Sequence, residues 1–416
     1  MTARDMTEET AAPARPHVLP FVLSALSVLA GLVFSLGNLG VPGQARGWWF
    51  MPRDLWATWR DAQMVSWGQG AYVYTAHTHL LALPGLAVLL APFAFLADHL
   101  HLASGWPVQP PHPGAWLMLD PVALALGTVV LWPLDALALR AGVGGKRRTL
   151  IGLVGAGVAW GAVAPMGHPE DLLALALSLW AAMAAADGRW ERAAWLMGAA
   201  LSVQLLAALA LPVVIGLAAK NRDRPWMRVT AMLQRAAFLP GVIGLACLAA
   251  APSATWGHLV GGHTSNPWPT PLAVLAPSGY AGPLRLVEVG AAVAVGFVAM
   301  KRELSVAALL WWSGLAFSTR VLEPLQCPYY LVPAALLFSL AAVAGRRGKG
   351  ALAAAVAAVL LGPLTGTSQE YHPWSLWLTL LALVGTMAYG SLPTGADSSP
   401  LFVEPSEPVP AAVGGE

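Results

Sequence analysis

The sequence predicts an all-α protein that crosses the membrane many times. Hydrophobic residues make up 57% of its 416 residues and charged residues only 11%, whereas about 25% of a typical soluble domain is charged. Apolar runs long enough to cross a bilayer alternate with short basic clusters along most of the chain. The net charge of +2 and the two cysteines, Cys247 and Cys327, favour neither nucleic-acid binding nor a disulfide framework or cysteine metal site.

Basic residues set the expected orientation, because they concentrate in cytoplasmic loops. Arg4 and Arg15 precede the first apolar run, 18–40, so the polar segment 1–17 is predicted to be a disordered cytoplasmic tail. The same rule, applied along the chain, predicts about ten crossings in a single transmembrane domain. The predicted bounds of that domain are 18–391, with external loops at 41–114 and 253–283 and a second disordered cytoplasmic tail at 392–416.

Two apolar segments are predicted to be broken hairpins that enter and leave the membrane on one side. Segment 79–99 contains Pro84 and Pro92, and a full crossing there would place the basic cluster at Lys146 outside the cell. Segment 193–219 has cytoplasmic-type basic residues on both flanks, with Gln204 near its middle. Non-helical backbone at such depth has to be buried by protein.

The first external loop is rich in tryptophan and tyrosine, which favour the boundary between water and lipid. The spacing of residues 52–61 predicts a helix lying along the outer membrane surface, with Asp54 and Asp61 on its polar face. Asp54 is equally explained as a charge at the helix N-terminus, and Asp61 as a solvated partner of Arg60 or Arg53.

The motif Gly167-His168-Pro169-Glu170-Asp171 joins two apolar runs, so three ionisable side chains stand together where two spans meet. A purely structural explanation places them in the headgroup region, with Glu170 and Asp171 in the first turn of a helix whose dipole favours anions. Proline is tolerated at such a helix start. The alternative explanation is a functional site at the outer face.

Other polar residues also gather on the predicted outer side. Arg320 either pairs with Glu323, three residues later, or binds a phosphate, for which a guanidinium is suited. Further candidate binding residues are His263 in the second large external loop, and Glu323 and Tyr329 after Arg320.

The order of these features resembles the GT-C membrane glycosyltransferases, and in particular the polyprenol-phosphate-mannose-dependent enzymes of glycosyltransferase family 87. The resemblance rests on an early loop Asp, a proline-broken segment and the motif at residues 167–171, followed by Gly188-Arg189 and a hairpin ending Leu211-Pro212. It is most visible over residues 160–225. The lysine that such enzymes often carry in the hairpin is replaced here by Gln204.

This resemblance implies transfer of a mannose-like sugar from a polyprenol-phosphate donor to a glycan or lipid acceptor at the outer face of the cell membrane. Such a site needs a base for the acceptor hydroxyl and donors for the departing phosphate. Asp54 is the candidate base, with Asp61 in reserve, and Arg320 and His168 are candidates for the phosphate. Glu170 and Asp171 are candidates for sugar hydroxyls or for a divalent cation, although no spacing demands a metal.

Two other functions fit the same sequence. A transporter or flippase would use the two broken segments to flank a binding site in the membrane, with Asp120 and Asp135 as its main buried charges. An inactive relative of the glycosyltransferases would serve as a scaffold.

Overall fold

The computed structural model describes residues 18–38, 52–75, 83–102, 113–220, 225–259, 281–302, 304–322, 328–345, 374–390 and 392. Regular secondary structure within these residues is helical, and no β-strand occurs there. The α-helices are α1 (Val18–Asn38), α2 (Arg53–Ser66), α3 (Gly85–His99), α4 (Pro113–Thr128), α5 (Leu131–Arg140), α6 (Gly145–Val163), α7 (Pro169–Ala186), α8 (Trp190–Val203), α9 (Leu211–Ala219), α10 (Pro225–Ala250), α11 (Pro252–Leu259), α12 (Ala281–Met300), α13 (Val306–Ser318), α14 (Val332–Ala344) and α15 (Trp374–Gly390). Short 3-10 helices occupy Gly70–Thr75, Leu205–Leu209, Thr319–Leu322 and Pro328–Leu331. The all-α prediction is confirmed for this part of the chain.

Four helical segments of the described residues are long and apolar enough to cross a membrane. They are Val18–Leu36, Gly114–Arg140, Pro169–Ala186 and Pro225–Ala250. Shorter apolar helices accompany them, including most of α3, α13 and α14. These lengths support a helical membrane protein, in which four segments could cross by length and composition where the sequence predicted about ten crossings. The predicted tail 1–17 and, apart from residue 392, the predicted tail 392–416 lie outside the described residues.

The predicted helix of the first loop is present as α2, but its aromatic side packs inside the protein. Leu55, Trp59 and Asp61 are buried, and the helix lies against α3. The prediction that Asp61 is a solvated residue on an exposed polar face is therefore wrong. The tryptophan rings of α2 are buried against neighbouring helices. The helical spacing of apolar residues fits this burial as well as it fits a helix on the membrane surface.

Segment 79–99 contains a continuous helix where the sequence predicted a break. Helix α3 begins after Pro84 and continues through Pro92 to His99, over 15 residues. At 1.5 Å per residue it is about 22 Å long, shorter than the roughly 30 Å hydrocarbon core. Residues 79–82 lie outside the described part of the chain. The predicted break is therefore wrong over Gly85–His99, where the helix is continuous.

The predicted break in segment 193–219 is present. Helix α8 ends at Val203, Gln204 is extended (φ −151°, ψ 120°), and a 3-10 helix leads to α9. Gly85 of α3 packs directly against this break. A Cβ at Gly85 would stand 2.1 Å from the carbonyl oxygen of Ser202, so a larger residue would not fit. The start of α3 thus covers the irregular backbone, as burial of a broken membrane helix requires.

The C-terminal end of α7 carries a network of ion pairs that joins four helices. Asp187 accepts two hydrogen bonds from Arg140, at 2.8 and 2.9 Å, and is also bonded by Arg189. Arg235 of α10 pairs with Glu191 of α8 at 3.0 Å. This end of the helix bundle carries several of the arginines on which the predicted orientation is based.

Candidate active site

The turn before α7 brings the first turn of α2 to His168. Gly167 has a positive φ of 78°, a conformation that costs a residue with a side chain roughly 1–2 kcal/mol. A Cβ at Gly167 would also stand 2.8 Å from Pro52 Cβ and 2.9 Å from the backbone nitrogen of Leu55. Both the positive φ and the close contact with the start of α2 therefore require glycine at this position. The contact places Asp54 beside His168, the residue after Gly167.

His168 lies between two carboxylates at the start of α7. Its Nε2 is 3.3 Å from Asp54 Oδ2 and its Nδ1 is 2.6 Å from Glu170 Oε1. The side chain of His168 is 12% exposed, whereas that of Asp54 is 48% exposed. The accessible carboxylate of Asp54 is therefore in contact with the mostly buried imidazole of His168.

The surroundings of His168 favour its protonated form. Burial alone would lower its pKa, but the charge of Glu170 and the contacts with Asp54 and Glu170 raise the pKa well above the ordinary value. A protonated imidazole donates from both nitrogens and accepts from neither. His168 is consequently a positively charged donor in this cluster, and the groups able to accept a proton are the carboxylates.

Asp171 and Gln204 connect the motif to the break between α8 and α9. Gln204 Nε2 donates to Asp171 Oδ1 at 2.7 Å, and Asp171 is 6% exposed. Sequence reasoning noted Gln204 near the middle of the broken segment and as the residue in place of a lysine, but did not name it as a site residue. The available signal was a single amide side chain in the middle of an apolar run.

Arg320 lies in the 3-10 helix after α13, held between an acid and an aromatic ring. Its Nε is 3.8 Å from Glu288 Oε1 of α12, and its guanidinium carbon is 3.6 Å from the centroid of the Tyr330 ring. Both charged side chains are almost fully buried. The charge of Arg320 also acts on Asp171, as do those of Glu170 and His168, so Arg320 belongs to the same electrostatic cluster.

Glu288 is a further site residue that the sequence alone did not reveal. It is the only acid of α12, and an acid in an otherwise apolar helix was the available signal. The pairing with Arg320 depends on the packing of α12 against the 3-10 helix Thr319–Leu322, which the sequence does not show.

Asp61 lies in a different place from the other predicted acids. It is fully buried, and its charge acts on the Tyr74 hydroxyl, whose pKa is raised first by burial and then by Cys247 and Asp61. Asp61 is seven residues beyond Asp54 on the same helix, a distance of about 10 Å. The structure thus separates the two candidate bases and brings only Asp54 to His168.

Three predicted binding residues cannot be placed in this cluster. His263 and Glu323 lie outside the described residues, and for Tyr329 only the backbone is described. Within the described part of the chain, no group of three or more His, Cys, Asp or Glu side chains is arranged to hold a metal ion.

The protonation of His168 leads to a prediction for stability. A histidine whose pKa is raised on folding stabilises the protein fully at pH values below its unfolded pKa, about 6.5. This contribution is lost as pH rises through the pKa of the folded state. Wild type and His168→Gln should therefore differ most in Tm below about pH 6.5, and the difference should shrink as pH rises above that value. Thermal unfolding in detergent across this range measures it; a difference that grows with rising pH would contradict the assignment.

No family model matches this chain, and no curated protein sequence matches it significantly.

Proposed function

We propose that this protein is a membrane glycosyltransferase that moves a mannose-like sugar from a polyprenol-phosphate donor to an acceptor hydroxyl at the outer face of the membrane. The observation that carries the proposal is the contact of His168 with both Asp54 and Glu170, together with the action of the Arg320 charge on the next residue, Asp171. The residues around the start of α7 thus include two kinds of group that such a transfer needs: an accessible carboxylate and a buried guanidinium.

Asp54 has the role of general base. Its carboxylate is half-exposed and stands in the first turn of α2, where an acceptor hydroxyl can reach it. As the acceptor oxygen bonds to the anomeric carbon, its proton passes to Asp54. The bond from the anomeric carbon to the phosphate oxygen breaks, and polyprenyl phosphate leaves with the electron pair. His168 orients Asp54 throughout.

Arg320 has the role of phosphate ligand. A guanidinium offers paired N–H donors that match two phosphate oxygens, and it stacks on aromatic rings as Arg320 does on Tyr330. Glu170, Asp171 and Gln204 remain for the sugar, because carboxylates accept hydrogen bonds from hydroxyls and an amide both accepts and donates them. In this proposal a divalent cation has no required role.

The proposed topology has about ten crossings, cytoplasmic termini and an external active face. The distribution of charge supports it. The cluster around His168 lies at the N-terminal end of α7 and the Arg140–Asp187 network at its C-terminal end, so the site and the basic residues are separated by a helix of 18 residues. That length, about 27 Å, is close to the thickness of the hydrocarbon core.

Arg320→Lys should raise the KM for the lipid-linked donor by roughly 10- to 100-fold, because it keeps the charge but removes charge-assisted hydrogen bonds worth about 1.5–3 kcal/mol. The matched control is Arg189→Lys, since Arg189 is 53% exposed at the opposite end of α7. Donor-dependent initial rates measure the effect. An unchanged KM in folded Arg320→Lys protein would remove Arg320 from the phosphate site.

Reconstituted protein tests the function itself. Purified wild type in liposomes would receive a radiolabelled mannosyl polyprenyl phosphate together with membrane-extracted glycan and lipid acceptors. The proposal expects label in a new product and release of polyprenyl phosphate in equal amount. Label that stays in every lipid-linked donor offered would overturn it.

A transporter of lipid-linked sugar is the second candidate, favoured by the helix break at Gln204. Discontinuous helices of this kind form the binding sites of many transporters. The two buried acids proposed for such a role have local partners: Asp135 pairs with Arg148 and Asp120 accepts a hydrogen bond from Ser35 at 2.6 Å. In the liposome experiment a transporter would move the labelled lipid between leaflets without breaking the sugar–phosphate bond.

A further inference from the structure

The ion pair between Glu288 and Arg320 is buried at both ends. The side chain of Glu288 is 4% exposed and that of Arg320 6% exposed. A carboxylate in such surroundings is retained only when a positive charge compensates it. Arg320 supplies that charge, so the arginine assigned to the phosphate already has an anion beside it.

The contact is an ion pair at longer range than a direct hydrogen bond. Arg320 Nε and Glu288 Oε1 are 3.8 Å apart, whereas charge-assisted N–H···O bonds measure about 2.7–2.9 Å. A phosphate that reaches Arg320 directly would form shorter bonds. Glu288 is thus placed as a counter-ion, and a phosphate with shorter bonds can become the nearer anion of Arg320 while Glu288 remains beside it.

The helix that carries Glu288 packs closely against two neighbouring elements. Gly296 of α12 meets α9 so closely that a Cβ there would stand 2.5 Å from Pro212 Cβ and 2.7 Å from the Pro212 carbonyl carbon. Helix α12 also packs on the 3-10 helix of Arg320. When a phosphate occupies Arg320, Glu288 consequently stays near it and repels its charge.

We propose that Glu288 is the resting counter-ion of Arg320 and that its repulsion releases the polyprenyl phosphate product. This inference rests on the proposed function. The donor is a phosphodiester with one negative charge, whereas the product is a monoester with a charge between −1.5 and −2 at neutral pH, by analogy with phosphorylated side chains. Since Coulomb repulsion scales with charge, a fixed carboxylate disfavours the product more than the donor.

The test compares binding of polyprenyl phosphate to wild type and Glu288→Gln. The substitution keeps the shape of the side chain and removes its charge. We expect about tenfold tighter binding, within the range usual for coupled ligands, and a lower kcat with product release as the slow step. Unchanged or weaker binding by monodisperse Glu288→Gln protein would overturn the proposal.

Two further variants separate charge from altered packing. Glu288→Asp keeps the charge and should bind polyprenyl phosphate about as weakly as wild type. The double variant Glu288→Gln with Arg320→Gln should lose the gain, because the gain acts through the guanidinium. Equal tightening in Glu288→Gln and Glu288→Asp, or a gain that persists in the double variant, would contradict a counter-ion role.

The choice of probes identifies the source of the phosphate. Polyprenol without phosphate should bind wild type and Glu288→Gln equally. If inorganic phosphate competes and its affinity rises by the same factor in Glu288→Gln, the phosphate group alone is recognised. If the affinity for phosphatidylglycerol rises by the same factor, the site recognises any phosphate lipid, which would overturn the role in product release. These measurements need no sugar transfer, so a wild type without transferase activity would refute the proposed function separately.

Discussion

Replacing Asp54 with asparagine is expected to lower the rate of sugar transfer by roughly 10²- to 10⁴-fold, the usual contribution of a positioned general base. Asparagine keeps the size and hydrogen-bonding capacity of the side chain but cannot accept the proton of the acceptor. Asp54 is half-exposed, so its replacement should change the yield of folded protein little. Initial rates with the lipid-linked donor measure the effect.

The matched control is Glu191→Gln, which removes an acid that is 60% exposed at the opposite end of α7. Its rate should equal that of the wild type. Wild-type transfer by folded Asp54→Asn protein would eliminate Asp54 as the base and would direct attention to Glu170, or to Asp61 in its separate buried position.

Substituting Gly167 with alanine is expected to destabilise the protein by about 2–4 kcal/mol, from backbone strain and overpacking together. The alanine Cβ would stand 2.9 Å from the backbone nitrogen of Leu55, an atom that moves only if α2 moves. Displacement of α2 would carry Asp54 away from His168, so transfer should fall as well. Unfolding in mixed micelles measures the stability.

Gly157 provides the control for this change. It lies in α6, and a Cβ there meets nothing within 4 Å among the described residues. Gly157→Ala should be neutral or stabilising by up to about 1 kcal/mol, because alanine favours helix. If Gly167→Ala were as stable and as active as Gly157→Ala, the close packing of α2 on the turn before α7 would be wrong.

Sequence reasoning predicted the all-α class and several helix ends, because apolar periodicity and proline positions act locally. The start of α7 at Pro169 and the break near Gln204 follow from local chemistry. Pro92 marks the limit of such reasoning. Proline removes one backbone donor from a helix, and α3 nevertheless continues through Pro92 to His99, with its neighbours packed around it.

The partners of the charged residues could not be predicted in the same way. Asp54 and Asp61 share a periodicity of seven residues, yet one contacts His168 and the other lies near Tyr74. Glu288 and Arg320 are 32 residues apart in the sequence and become partners only because α12 packs on the 3-10 helix after α13. Spacing describes a single helix, whereas these contacts are decided by which helices meet.

An experimental structure with a non-transferable mannosyl polyprenyl phosphate analogue bound tests the central claim most directly. We expect a phosphate oxygen about 3 Å from the guanidinium of Arg320 and the anomeric carbon facing Asp54. Glu288 Oε1 should be no closer to Arg320 Nε than the present 3.8 Å. A donor bound away from the cluster of Asp54, His168 and Arg320 would contradict it.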